Sequence, residues 1–299
     1  MKIKNVTIAG GGVLGSQIAW QTAFKGFNVI VYDAFEEGIQ NCQKYHQRYA
    51  ELFIASKGSS AAEIEKTFSR LTYTTNLKEA VQDADLVSES VPENLDIKKS
   101  FYKELAQWAP ERTIFTTNSS TMLPSHYAKE TGRPGKFLAL HFSNPVWDAN
   151  VGEVMKHPGT EQKYFDLVVN FAQDIGMVPI PINKEQPGYV LNSLLVPFLS
   201  AAQNLWFNHV SDFKSIDKTW MISTGAKSGP FGILDLVGMQ TVYNITMMDA
   251  KRTNNPVLFE RAEKIKTEFI DKGRMGISTG QGFYSYPNPE YKDPDFLNR

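Results

Sequence analysis

The chain has 299 residues, 42% of them hydrophobic and 21% charged, with 31 Lys+Arg set against 32 Asp+Glu for a formal charge of -1. That length suits one large or two modest domains, and the composition is that of an ordinary globular protein, which excludes global disorder. The charge balance lacks the basic excess with which nucleic-acid and anionic-membrane binders neutralise phosphates, so neither partner is expected.

In chain order, the apolar stretch from Val6 holds three successive glycines and gives way to Gln17, Gln21 and Lys25, too broken for a signal peptide. Candidate strands at 6–9, 28–32, 71–75, 85–88, 113–116 and 137–141 alternate with longer helical patterns, which predicts a parallel sheet wound with crossover helices. Residues 34–70 read as a polar helical arm broken near Gly58-Ser59-Ser60, with Tyr45, Tyr49, Leu52 and Phe53 on its apolar side. This arm carries Cys42, the single cysteine, which cannot form an intramolecular disulfide, so a cytoplasmic protein is expected. A strand-helix-strand passage follows at 153–155, 165–175 and 178–182. After Pro187-Gly188 helical spacing dominates from Val190 to about Phe269, and the apolar run 190–202 is interrupted by Asn192, Ser193, Pro197 and Ser200, unlike a membrane helix. The expected fold is α/β, a Rossmann-type doubly wound sheet over 1–185 followed by an all-helical domain over 186–299. The tail beyond Pro287 reads as loosely held.

Gly10, Gly12 and Gly15, with Val13 and Leu14 between them, fit GxGxxG directly after an apolar strand and before a helix. In that context Gly10 permits the tight turn, Gly12 lets the backbone approach a pyrophosphate, and Gly15 lets helix and strand pack closely. Asp33 closes the second strand eighteen residues later, near the spacing of about 20 at which an acid takes the ribose hydroxyls of NAD. A carboxylate there repels a 2'-phosphate, so NAD is expected over NADP. A glycine turn that binds nothing, and an Asp that merely caps the next helix, are the plainer readings.

An alcohol-oxidising nicotinamide enzyme needs a base for the hydroxyl proton, and histidine suits both directions. Of five histidines, His46, His126, His157 and His209 read as surface or cap positions, whereas His141 closes a buried strand at its carboxyl end, where open α/β sheets place ligands. Glu153 stands among apolar neighbours and needs a partner. A carboxylate bonded to one ring nitrogen of His141 would fix its tautomer and aim the other at substrate.

These residues resemble the L-3-hydroxyacyl-CoA dehydrogenase family, including 3-hydroxybutyryl-CoA dehydrogenases. The resemblance also rests on Ser90-Val91-Pro92-Glu93-Asn94-Leu95, Thr117-Asn118-Ser119-Ser120, His141-Phe142-Ser143-Asn144-Pro145, Pro187-Gly188-Tyr189-Val190-Leu191-Asn192, Gly229-Pro230-Phe231 with Leu234-Asp235-Leu236-Val237-Gly238, and Thr279-Gly280-Gln281-Gly282-Phe283-Tyr284. It implies NAD-dependent interconversion of (3S)-3-hydroxyacyl-CoA and 3-oxoacyl-CoA, with His141 as general base, Glu153 its partner, and Ser120 and Asn192 as donors to the substrate oxygens. Glu93, Lys98 and Asn118 fall at cofactor positions, no metal is implied, and a homodimer through the helical domain is. Alone, Ser120 reads as a helix cap, Asn192 as a core amide, and Glu93 and Lys98 as a solvated helix face.

Departures from the family bear on substrate. Ser193 stands where the family commonly has arginine, the segment 225–229 is short, and Trp147-Asp148 occupies the loop after the His141 motif. In the arm Tyr49 and Ser56 stand near the family's CoA contacts, with Arg48 and Lys57 close by. Two other readings therefore stay open: a dehydrogenase of a free 3-hydroxy acid, such as the gulonate or carnitine enzymes, and an NAD-binding protein without turnover.

Overall fold

The computed structural model describes residues 2–298 and divides after Leu191 into two compact units. The first carries one eight-stranded sheet: β1 (Asn5–Ala9), β2 (Asn28–Tyr32), β3 (Leu71–Thr74), β4 (Leu86–Glu89), β5 (Ile114–Thr117), β6 (Phe137–Phe142), β7 (Val151–Met155) and β8 (Val178–Ile182). Its order is β3-β2-β1-β4-β5-β6-β7-β8, and every neighbouring pair is parallel except β6 and β7. The central strands are buried at successive residues because helices cover both faces of the sheet. β6 is buried along its whole length, as are β4 and β5.

α1 (Val13–Phe24) starts at the glycine turn and buries Ile18, Ala19, Trp20 and Ala23. The arm is two helices, α2 (Glu36–Lys57) and α3 (Ala61–Phe68), broken where the sequence predicts. Gly58 takes the left-handed conformation that ends α2, and Ser60 with Glu63 forms a capping box that starts α3. The arm is less polar in effect than its composition. Trp20 of α1 meets Phe53 and Phe68 edge-on at 5.7 and 5.3 Å, so α2 and α3 dock through aromatic contacts. α4 (Leu77–Val81), α5 (Leu95–Trp108) and α6 (Gln162–Asp174) complete the layers. The Asn94 side chain caps α5 by accepting from the N–H groups of Asp96 and Ile97.

The second unit is helical: α7 (Leu191–Phe207), α8 (Phe213–Thr224), α9 (Pro230–Val237), α10 (Met239–Thr253) and α11 (Pro256–Glu268). The apolar crowd on α7 is divided. Leu199 is buried and Leu195, Phe198 and Trp206 pack against this unit's core, whereas Leu194 is 69% exposed. The tail differs from expectation, for its aromatic residues find partners: Phe296 is buried with the Lys218 ammonium 5.0 Å from its ring centroid, and Tyr291 meets Tyr284 edge-on. Among the described residues no helix is long and apolar enough to cross a membrane.

Candidate active site

At the glycine turn the physical roles separate. Gly10 has φ +110°, and a Cβ there would stand 2.4 Å from the Ser90 carbonyl oxygen. A Cβ on Gly15 would stand 2.0 Å from the carbonyl oxygen of Gly10, so the first turn of α1 packs this closely on the glycine turn only with glycine at its third residue. Gly12 instead faces open space, the free backbone approach a pyrophosphate needs. Asp33, beyond the end of β2, accepts from the Gly11 N–H at 2.8 Å and the Phe35 N–H at 3.1 Å. Gly38 makes room for it, since a Cβ there would lie 2.4 Å from the carboxylate. A cleft of about 620 Å³ opens beside it, lined by Gly10, Gly12, Asp33, Phe35, Val91 and Ile97 among others.

A second cleft, of about 310 Å³, runs from Gly12, Val13, Leu14 and Gly15 to Glu93, Lys98, Asn118 and Ser120. The glycine turn and the ends of β4 and β5 thus form one trough, and its residues fit a dinucleotide. Lys98 is not on a solvated face. It is fully buried, with Nζ 2.5 Å from Glu89 Oε1 and 3.3 Å from Glu93 Oε2. Burial alone would raise the Glu93 carboxyl, but hydrogen bonds from Ser119 and Thr121 and the Lys98 charge outweigh it and hold it below the usual range. Asn118 lines this cleft while accepting from the Phe142 N–H at 2.9 Å and donating to Ser90 Oγ at 3.4 Å, which ties the ends of β4, β5 and β6 together.

Sequence reasoning missed Glu89. It has no exposure, and Oε1 accepts from Lys98 and from the Val91 N–H at 2.9 Å, while Oε2 accepts from Thr117 at 2.7 Å and Tyr102 at 3.1 Å. A carboxylate following Leu86-Val87 in a strand, with a lysine nine residues on, is the signal that could have found it.

The sheet itself assembles the histidine and its acid. In the antiparallel β6–β7 pair His141 stands directly opposite Glu153, which puts both side chains on one face. His141 is 5% and Glu153 1% exposed, and His141 Nδ1 lies 3.0 Å from Glu153 Oε2. An ionised carboxylate can only accept, so Nδ1 donates to it, and in the neutral imidazole Nε2 then accepts from the Ser120 hydroxyl at 2.9 Å. The other oxygen, Oε1, accepts from the N–H groups of Val190 and Leu191 at 2.8 and 2.9 Å. Desolvation pushes the Glu153 pKa up, but the His141 and backbone hydrogen bonds outweigh it and hold the carboxyl below its ordinary value. Tyr189, also missed as a site residue, lies stacked on the imidazole with ring centroids 4.4 Å apart. Asn192 stands in the first turn of α7, in the second unit, half-buried.

The other histidines take structural places. His126 and His209 are exposed. His46 and His157, read as surface or cap positions, are buried instead. His46 bonds the Ser16 carbonyl and the Tyr73 hydroxyl, and burial pulls its pKa down to about 4. Beside it burial pushes the Cys42 thiol up to about 12, which disfavours its thiolate. Trp147 sits edge-on against Tyr49 and Phe53 at 4.8 and 5.2 Å, and Asp148 pairs with Lys57. The loop after β6 is therefore fastened to α2.

Residues 5–186 match the family model for the NAD binding domain of 3-hydroxyacyl-CoA dehydrogenase, and residues 188–286 match its C-terminal domain. The chain is 33% identical over 293 residues to the mitochondrial hydroxyacyl-coenzyme A dehydrogenase of Homo sapiens, covering 95% of this chain and 91% of that one. It is 29% identical to a probable 3-hydroxybutyryl-CoA dehydrogenase of Bacillus subtilis, covering 96% and 98% of the two chains. Among solved structures, a diketoreductase described for substrate-directed dual catalysis of dicarbonyl compounds superposes with a TM-score of 0.90 at 48% identity, covering 96% of this chain and all of that one. The chain belongs to the 3-hydroxyacyl-CoA dehydrogenase family of NAD-dependent oxidoreductases.

Proposed function

We propose that the protein interconverts a (3S)-3-hydroxyacyl and a 3-oxoacyl group, with His141 as the proton-transfer residue and Glu153 as its partner. The observation that supports this best is the continuous chain of contacts Glu153–His141–Ser120, which ends in the cleft shared with the glycine turn. When bound, NAD accepts or returns the hydride. In oxidation His141 Nε2 takes the hydroxyl proton, and the imidazolium that forms is stabilised by the Glu153 carboxylate on Nδ1. In reduction the same Nε2 returns the proton to the new alkoxide oxygen. Ser120 Oγ, at Nε2, marks where that oxygen sits and donates to it as charge develops. Asn192 is assigned the second donor by resemblance to the family. Gly10, Gly12 and Gly15 would accommodate the pyrophosphate, Asp33 would hold the ribose, and Glu93, Lys98 and Asn118 would border the nicotinamide.

Two substrate classes share this chemistry. The family relationship favours a CoA thioester. A compact dicarbonyl compound or free 3-oxo acid is favoured by the 48% identical diketoreductase and by the fastening of Trp147 and Asp148 to Tyr49, Phe53 and Lys57, which fills the arm's apolar side with the chain's own aromatic rings. Purified protein with NADH, assayed in parallel on acetoacetyl-CoA and on 3-oxo compounds without CoA, separates them through kcat/KM. A CoA preference of about a hundredfold or more assigns the thioester, and the reverse assigns the dicarbonyl. We further assign the homodimer interface to the helical unit, on which Leu194, Ile222, Leu236 and Met248 are all more than half exposed. A monomer mass by light scattering would reject that assignment.

A further inference from the structure

We propose that Tyr189 is a positioning residue for the proton transfer, holding the plane of the His141 ring and the Ser119-Ser120 turn in one arrangement. This rests on the dyad reading above. His141 is tied at both nitrogens, by Glu153 at Nδ1 and Ser120 at Nε2, and the donor and acceptor directions of imidazole nitrogens lie in the ring plane. Bonds at the two nitrogens, which flank Cε1, leave the imidazole free to tilt about the line that joins them. The Tyr189 ring lies against its face, with an interplanar angle of 14°, and blocks that tilt. Its hydroxyl donates to the Ser119 carbonyl oxygen at 2.7 Å, one residue before the hydroxyl that meets Nε2. One side chain therefore fixes both the base and the turn that carries Ser120.

The backbone is shaped for this placement. The Tyr189 N–H closes a turn onto the Gln186 carbonyl at 3.0 Å, with Pro187 and Gly188 between, and Gly188 takes φ +81°. Tyr189 follows at φ +56°, a left-handed conformation that bulky side chains avoid, and is 1% exposed. Strain of this kind persists only where the surroundings over-determine it, and it concentrates at active sites. The next two residues, Val190 and Leu191, give their N–H groups to Glu153. The segment thus grips the imidazole by its face and the carboxylate by its oxygen at once. An electron-rich face against the imidazole also favours the imidazolium that proton uptake creates.

A role in packing alone would weaken the fold without depending on His141, so the test is a double-mutant cycle on the full chain. kcat with NADH and the better substrate, and NADH affinity by fluorescence, are measured for Tyr189→Phe, Tyr189→Leu, His141→Gln and the double variant Tyr189→Leu/His141→Gln. Tyr189→Leu is expected to lower kcat about tenfold or more with NADH affinity unchanged, because a small misplacement of a catalytic group costs rate. Tyr189→Phe keeps the ring but loses the bond to the Ser119 carbonyl, so it is expected to cost kcat about threefold, less than Tyr189→Leu. In the His141→Gln background the leucine change should cost less than about twofold, because the group it positioned is gone. Equal losses in both backgrounds, or Phe as damaging as Leu, would overturn the proposal. If Tyr189→Leu does not fold, Tyr189→Met takes its place with the same criteria. Near-normal turnover of His141→Gln alone would remove the dyad and this role with it, whereas additivity removes the role of Tyr189 only.

Discussion

In the first unit Glu153 is almost wholly buried and its pKa lies below the ordinary value, whereas in the second unit Asp217 and Asp235 are as deeply buried and theirs are raised. All three accept two backbone N–H groups: Glu153 from Val190 and Leu191, Asp217 from Phe231 and Gly232, Asp235 from Phe283 and Tyr284. The number of such donors therefore does not decide the sign. Desolvation is the largest influence at each site, and the remaining partners tip the balance. Glu153 faces an imidazole that can carry a positive charge. Asp217 receives the Tyr284 hydroxyl and feels Asp235 as a like charge, and burial leaves it pushed up to about 6. Glu153 bonds the imidazole of His141; Asp217 pins the start of α9 to α8 and to the Tyr284 hydroxyl.

Substitutions at these sites should separate the two roles. His141→Gln is expected to cut kcat by about a hundred- to ten-thousandfold while NADH still binds, because it removes proton transfer without touching the glycine turn. Glu153→Gln should cost roughly ten- to a hundredfold: the ring loses the charge that favours its protonated form, but keeps a neighbour of the same shape. Asp217→Asn should leave kcat within about twofold; a loss as large as that of Glu153→Gln would erase the distinction drawn here.

A fourth carboxylate, Asp33, is tied by two N–H groups beside the outer cleft. Asp33→Ala is expected to weaken NAD binding about tenfold, measured by titration, and to narrow the gap to NADP, since an acceptor and a source of repulsion leave together.

The smallest effect is on stability and its sign is opposite in the two units. The Glu153 contribution is complete above the unfolded glutamate value of about 4.3 and is lost as pH falls below it, through the depressed folded value. Asp217 is raised from 3.8 to about 6, so its neutral form suits the fold: its contribution is present at low pH and lost as pH rises through about 6. Thermal midpoints of wild type and Asp217→Asn between about pH 4 and 7 check this. The wild type should gain relative to the variant as pH falls, by the equivalent of about 2–3 kcal/mol at most.

Much of the fold was legible because the signals were local. The apolar runs that became β1 to β6, the break at Gly58 to Ser60 and the turn of spaced glycines each declare themselves within a few residues. The site was legible in its residue types more than in its supports. The direction of β7 carries no sequence mark, yet it alone sets His141 opposite Glu153. His46 looked like part of a polar surface, but its partners Ser16 and Tyr73 lie 30 and 27 residues away. Tyr189 read as one letter of a motif, and its value as a plate on the imidazole depends on a left-handed backbone that no composition rule predicts for tyrosine.

The proposed proton transfer rests on His141, charged through Glu153. Its most direct test is the pH dependence of the alcohol-oxidation rate, kcat/KM with saturating NAD, for the wild type and His141→Gln side by side. The wild-type rate should fall on the acid side along a single ionisation, as the base becomes protonated, and the residual rate of the variant should lack that limb. An acid limb that survives unchanged in His141→Gln would contradict the assignment.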